Sequence, residues 1–241
     1  MKRAIITKLL DMRGKLSATV SSGIQATICF VDLEGFTALT EQHGDEDAAG
    51  LATRFAKLTR SVLGPRDRLI KTIGDAVLVT SPDPAAGLTW VEKLLTQAAE
   101  DPRFPSLRAG LHHGAAVLKE GDVFGAAVNL AARVAAEAHA GEVLATETVA
   151  TVAKESGIPV AELGDVLLKN VRGSVALFSI GLVVGVSDSP VDPVCRQPVD
   201  RRAAVGRLRY QGTEYLFCSL TCAAAFASNP GWHTAETAAR E

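Results

Sequence analysis

Two hydrophobic periods alternate along this chain, and the switches between them mark its elements. Residues 27–32 (TICFVD) form a short apolar run of the kind a buried strand leaves, and Glu34-Gly35 closes it in a tight turn leading towards a helix. Leu51, Phe55, Leu58 and Val62 then recur at helical spacing until Gly64-Pro65 ends the pattern. Residues 68–73 and 76–80 read as two short strands around Gly74-Asp75, a hairpin-like arrangement. Asp83-Pro84 supplies a helix cap and a first-turn proline for the helix carrying Trp90, Leu94 and Leu95. Residues 107–118 predict another strand and residues 126–138 an Ala-rich helix. Short strands follow at 142–144, 163–168 and 175–180. The β-α-β-β-α-β order predicts an α+β fold with a ferredoxin-like, palm-type core.

The ends of the chain behave differently. Residues 1–22 read as a basic, helical lead in which Ile5, Ile6, Leu9, Leu10 and Met12 share a face, suited to packing or dimer contact, or to a membrane surface or regulation. Residues 23–183 hold the strand and helix pattern, residues 184–191 (VGVSDSPV) are a linker, residues 192–232 hold a cysteine cluster, and residues 233–241 read as a frayed tail. With 47% hydrophobic and 22% charged residues the chain is globular rather than disordered. A net charge of -2 gives no reason to expect nucleic acid as a partner. No apolar run reaches the roughly 18–20 residues of a membrane span. Lys8 and Asp11 interrupt what would otherwise begin like a signal peptide, so a cytoplasmic protein is expected.

The candidate chemistry lies in three segments. In FVDLEGFT, Asp32 ends a strand, where its carboxylate can hold a hard divalent cation while the amides of Gly35, Phe36 and Thr37 face phosphate oxygens. In IKTIGDAVL, Asp75 sits at a hairpin tip; two carboxylates brought to one point repel unless a cation lies between them or one keeps its proton. In GDVFGAAVNLAARV, Asn129 and Arg133 project from one helical face, and Asp122 lies near the helix entry. Each segment alone also fits a structural role. Together, in this order, they resemble the catalytic domain of class III adenylyl/guanylyl cyclases over residues 24–183.

The resemblance implies roles. Asp32, Asp75 and the backbone carbonyl of Leu33 match the positions that bind two Mg2+ or Mn2+ ions. Lys71 and Asp122 match the purine-reading pair of adenylyl cyclases, with ionised Asp122 accepting from the exocyclic amine of adenine, which favours ATP over GTP. Asn129 matches the residue that orients the ribose, and Arg133 the one that neutralises charge building on the α-phosphate. Lys169 matches a lysine that contacts the terminal phosphates, although the family usually has Gly where Asn170 follows. The implied reaction is in-line attack of the ribose 3′-hydroxyl on the α-phosphate, with no side chain assigned as general base. A head-to-tail homodimer with two shared sites is implied as well. A non-catalytic nucleotide- or metal-binding regulator and a guanylate cyclase are the alternatives.

Cys195, Cys218 and Cys222 make a C-x22-C-x3-C pattern, with a hairpin signal at Gln211-Gly212-Thr213 and a short helix opened by the last two cysteines. This segment resembles the YHS/TRASH-type metal-binding modules, a small cysteine-rich ββα unit. Three thiolates suit zinc or another soft metal, with Asp192 and His233 as candidates for a fourth ligand. A structural staple, a metal sensor and a redox role stay open. Elsewhere Cys29 reads as a core residue, His112 and His113 as packing or hydrogen-bonding groups, the tail arginines as a solvated face, and Trp90 and Trp232 as packing residues.

Overall fold

A computed structural model of the chain describes residues 22–101, 104–182 and 190–238; the helical lead expected for residues 1–22 lies almost wholly outside them. The chain runs β1 (Ser22–Leu33), α1 (Phe36–His43), α2 (Asp45–Val62), β2 (Arg68–Ile73), β3 (Ala76–Ser81), α3 (Pro84–Glu100), β4 (Leu107–Lys119), β5 (Asp122–Phe124), α4 (Ala126–Glu137), β6 (Val143–Thr146), α5 (Glu147–Glu155), β7 (Val160–Val166) and β8 (Val175–Ile180). One sheet takes the order β2-β3-β1-β4-β6-β8-β7, with β5 paired to β4. Its pairings are antiparallel except for β4 with β6. The first four strands thus form the ferredoxin-like order expected, extended by three more at the β4 edge.

β1 shows why the sequence reads as a continuous apolar run. Cys29, Val31 and Leu33 join the core beneath α2, α3 and α5, together with Phe55, Trp90, Leu94 and Val149. Ile28 and Phe30 point the other way, towards Ala127 and Ala131 of α4. A strand covered on both faces has no polar face to alternate with. The alanines of α4 let that helix approach the sheet closely, and Gly110 of β4 completes the fit: a Cβ there would overlap the backbone of Ala135. As expected, Asp83 caps α3 by accepting from the Ala86 amide, and Cys29 and Trp90 are core residues. β5 and α5 are additional elements. β5 is three residues long, too short to show a period, and α5 follows β6 without a break, so no turn signal separates the two in the sequence.

Residues 190–238 build a separate small unit with β9 (Gly206–Tyr210), β10 (Thr213–Phe217), α6 (Leu220–Ser228) and α7 (Pro230–Ala238). Gln211 and Gly212 both take positive φ, 49° and 85°, which a two-residue hairpin of this hand requires. Val194, Phe217 and Phe226 pack with Cys195 and Cys222 into a core of their own. The tail expected to fray from residue 233 instead continues α7 to Ala238. Trp232 is 65% exposed, so it does not pack as expected.

Candidate functional site

The β1–β3 register places Asp32 opposite Ala76, which brings Asp75, in the two-residue turn between β2 and β3, up to the end of β1. The Leu33 amide donates to the Asp75 carbonyl at 3.3 Å, tying the two segments together. Burial, and then the neighbouring charge of Asp32, push the Asp75 carboxyl up to about 6. Arg108 of β4, opposite Asp32, donates two hydrogen bonds to Asp32 Oδ2 at 3.0 and 2.7 Å and lies 3.5 Å from Glu34. Asp32 Oδ1 is buried without a hydrogen-bond partner. Two convergent carboxylates, one holding a buried oxygen that nothing donates to, fit a hard divalent cation with oxygen ligands. Sequence reasoning missed Arg108, because its contact with Asp32 depends on strand register.

Directly after these residues, Gly35 takes φ 76° and opens α1 with no side-chain cap and no acid in the first turn. The amides of Gly35, Phe36 and Thr37 therefore begin a helix whose positive end suits an anion.

Lys71 of β2 and Asp122 of β5 meet with Nζ 2.6 Å from Oδ2, and this hydrogen bond holds the Asp122 carboxyl below its ordinary value. Nothing in the spacing requires that contact; β5 has to fold back along β4 to make it. Asn129 is exposed and Arg133 half-buried on α4, beyond the Gly125 that caps it. Lys169 is exposed in the turn after β7, and Asn170 beside it takes φ 63°. Asn is the side chain after Gly that best tolerates this conformation, so the departure from Gly preserves the backbone path. His112 and His113 hydrogen-bond Thr146 and Thr27 at 2.8 and 3.0 Å, as local packing groups.

The three cysteines also converge. Cys195 Sγ lies 3.4 Å from Cys218 Sγ, which lies 3.9 Å from Cys222 Sγ, and all are free thiols. Hydrogen bonds from the other two thiols hold Cys222 below the ordinary thiol value, whereas Cys195 is pushed up by the same mutual bonding and by burial. Neither candidate fourth ligand completes the set. Asp192 is fully buried, and its two oxygens accept from the amides of Val194, Cys195 and Cys218, which makes it a brace for the cysteine loop. His233 stacks on Phe226 with ring centroids 6.0 Å apart. The group that joins the thiols is His43, at the end of α1: its Nε2 lies 3.5 Å from Cys218 Sγ and 4.0 Å from Cys222 Sγ. All four donor atoms fall within 4.8 Å of one another, a nitrogen and sulfur set suited to zinc.

Two segments of the chain match known families. Residues 20–181 match the family described as adenylate and guanylate cyclase catalytic domain, and residues 191–232 match the YHS domain. A pH-sensitive adenylate cyclase of Mycobacterium tuberculosis is 41% identical over 160 residues, covering 65% of this chain and 40% of that protein. An adenylate cyclase of Streptomyces coelicolor is 34% identical over 133 residues, covering 50% of this chain and 35% of that protein. The chain thus spans about two fifths of the length of these relatives or less. Among solved structures, the catalytic core of a rhodopsin-guanylyl cyclase with converted specificity, in complex with ATPαS, aligns with a TM-score of 0.61 at 18% identity, covering 67% of this chain and 98% of that one. The adenylyl cyclase CyaB from P. aeruginosa aligns with a TM-score of 0.56 at 20% identity, covering 67% and 95%. No helix among the described residues is long and apolar enough to cross a membrane. With the family matched over two thirds of its length, the chain belongs to the class III adenylyl/guanylyl cyclases and carries a YHS domain at its C-terminal side.

Proposed function

We propose that this chain is a cytoplasmic adenylate cyclase that converts ATP to 3′,5′-cyclic AMP and pyrophosphate at sites shared between two copies. The observation that carries the choice of nucleotide is the 2.6 Å contact between Lys71 and Asp122. It puts an ammonium donor and an ionised carboxylate acceptor side by side, the pair needed to read a ring nitrogen and the exocyclic amine of adenine. Guanine presents a carbonyl in place of that amine, and the carboxylate would face it acceptor to acceptor.

Asp32 and Asp75, with the Leu33 carbonyl, would hold two Mg2+ or Mn2+ ions. Bound there, such ions supply charge for the triphosphate and lower the pKa of the attacking 3′-hydroxyl. The amides of Gly35, Phe36 and Thr37 receive phosphate oxygens at the start of α1, and Lys169 adds an ammonium for the terminal phosphates. Asn129 holds the ribose in position for in-line attack. Arg133, always charged and able to grip two oxygens, neutralises the charge that builds on the α-phosphate.

Two observations support a shared site. β4 begins opposite the Asp32 end of β1 and ends at Lys119 beside Asp122, so one chain holds Asp32 and Asp122 at opposite ends of that strand. Around the adenine pair, Ile73, Val117 and Phe124 are 47%, 40% and 50% exposed, an apolar surface suited to a second copy. A head-to-tail homodimer pairs each such surface with the partner's aspartates.

Purified protein given Mn2+ with ATP or with GTP tests this directly. Cyclic AMP from ATP, little product from GTP, and a specific activity that falls on dilution to monomer are expected. Preference for GTP would overturn the nucleotide assignment, and full activity as a monomer would overturn the shared site. No product from either nucleotide, with the dimer folded, would leave a non-catalytic regulator.

A further inference from the structure

The fourth donor of the thiol cluster comes from the catalytic domain. His43 is the last residue of α1, and α1 begins at the Gly35 turn beside the aspartates. We propose that His43 Nε2 completes a zinc site with Cys195, Cys218 and Cys222, and that filling it clamps the YHS module onto the helix whose other end receives phosphate.

The geometry supports tetrahedral ligation. With Zn–S near 2.3 Å and Zn–N near 2.0–2.1 Å, a tetrahedron has S···S edges of about 3.8 Å and N···S edges of about 3.6 Å. Two of the three S···S separations are 3.4 and 3.9 Å, two of the three N···S separations are 3.5 and 4.0 Å, and all six lie within 4.8 Å. They bracket both values, and they are far too long for a disulfide near 2.05 Å. The cysteine loop is already shaped for the task. Asp192 holds the amides of Val194, Cys195 and Cys218, and Ser219 caps α6 by accepting from Cys222.

The seam around this cluster is thin. The module keeps its aromatic core to itself, with Phe226 against Tyr210, Tyr215 and Phe217. Beside His43 lies a cavity of about 280 Å3 between α1, α2 and Gln197, lined by Glu46, Asp47 and Arg54 among others. A gap lined largely by polar and charged groups gives little apolar burial to hold two units together, so ligation at His43 is the strong fastener. The second point of contact is Arg196, next to Cys195. Its side chain lies directly over Gly35, where an added Cβ would overlap Arg196 Cβ and Cγ. One ion therefore fixes both ends of an eight-residue helix, His43 by ligation and Gly35 by the loop that carries Cys195. The metal site rests on geometry alone; its effect on phosphate binding rests on the nucleotide reading above.

The experiment uses the full chain, stripped of metal under reducing conditions, with Co2+ as optical probe and Zn2+ in competition with a chromophoric chelator. Wild type should bind one ion per chain with the sulfur-to-cobalt charge-transfer band and intense visible bands of a tetrahedral site. His43→Ala should weaken zinc by more than the ~10–100-fold that removing a mere hydrogen-bond partner of a ligand costs, while His139→Ala, at an exposed position elsewhere, should leave it unchanged. Hydrogen exchange supplies a readout independent of turnover: zinc should protect the α1 amides in wild type and not in His43→Ala. Equal zinc affinity and cobalt spectra in wild type and His43→Ala would overturn the proposal, as would zinc binding that leaves α1 exchange unchanged. If those metal results hold and ATP yields no product, the catalytic reading fails and the clamp stands.

Discussion

Replacing Arg108 by Met keeps most of the side chain's length while removing both hydrogen bonds to Asp32 Oδ2 and the charge beside Glu34. The pair is neither at the surface nor fully enclosed, with Arg108 29% and Asp32 19% exposed. Breaking a buried ion pair costs about 3–5 kcal/mol and an exposed one about 0–1 kcal/mol, so this depth sets a loss of about 2 kcal/mol. In a protein of this size that lowers Tm by about 4–8 °C in the metal-free state. The sign of the metal effect is the sharper test. Asp32, already short of one partner at Oδ1, loses its remaining donors, and the Asp75 carboxyl loses a charge that holds it down. A divalent cation at the aspartates restores the missing positive charge, so Mn2+ should raise Tm more in Arg108→Met than in wild type. Thermal unfolding of both proteins with and without Mn2+, at one buffered pH above 7, measures this. A metal-free Tm within about 1 °C of wild type, or an equal gain from Mn2+, would show that Arg108 does not neutralise this site.

Asp75 gives a pH dependence. Cation binding needs its carboxylate, so Mn2+ affinity should be full well above its value of about 6 and fall as the pH drops through it, whereas an affinity flat from about pH 5 to 8 would contradict the assignment. For the metal-free fold the sign reverses: with the folded value raised above the unfolded one, this group's contribution is greatest below about pH 4 and is lost as the pH rises through about 6, which denaturant midpoints across that window report. Gly110→Ala drives a Cβ into the backbone of Ala135, which cannot yield as a side chain would, and should cost about 3 kcal/mol in urea unfolding. Asp192→Ala strips the acceptor from three amides in the cysteine loop and should cost about 3 kcal/mol or more in the module, read as weaker zinc binding with the sheet's circular dichroism unchanged.

The elements most legible in the sequence were those whose signals are local. β1 declared itself because both its faces are covered, α3 because Asp83-Pro84 marks its start, and β8 because residues 175–180 are apolar but for Ser179. The family motif named positions by resemblance; it could not say which would touch. That Lys71 would reach Asp122 follows from the fold-back of β5, an element too short to leave a period. Arg108 was invisible for a related reason: in the sequence it is one basic residue at the start of a strand, and only the β1–β4 register turns it into the partner of Asp32.

His43 presents the same problem over a longer span, since 175 residues separate it from Cys218. Near the cysteines in sequence stand Asp192 and His233, the reasonable choices if the module closes its own site. The physical grounds against Asp192 are specific. Its carboxylate is held by three backbone amides in the cysteine loop, and the cluster of donor atoms within 4.8 Å of one another is made by His43 and the three cysteines without it. An imidazole reaching in from a neighbouring helix displaces nothing. A module with a core this small has reason to take a ligand from outside, and the helix that supplies it begins at the turn beside Asp32. The shortage of ligands within the module is therefore what joins it to the catalytic domain.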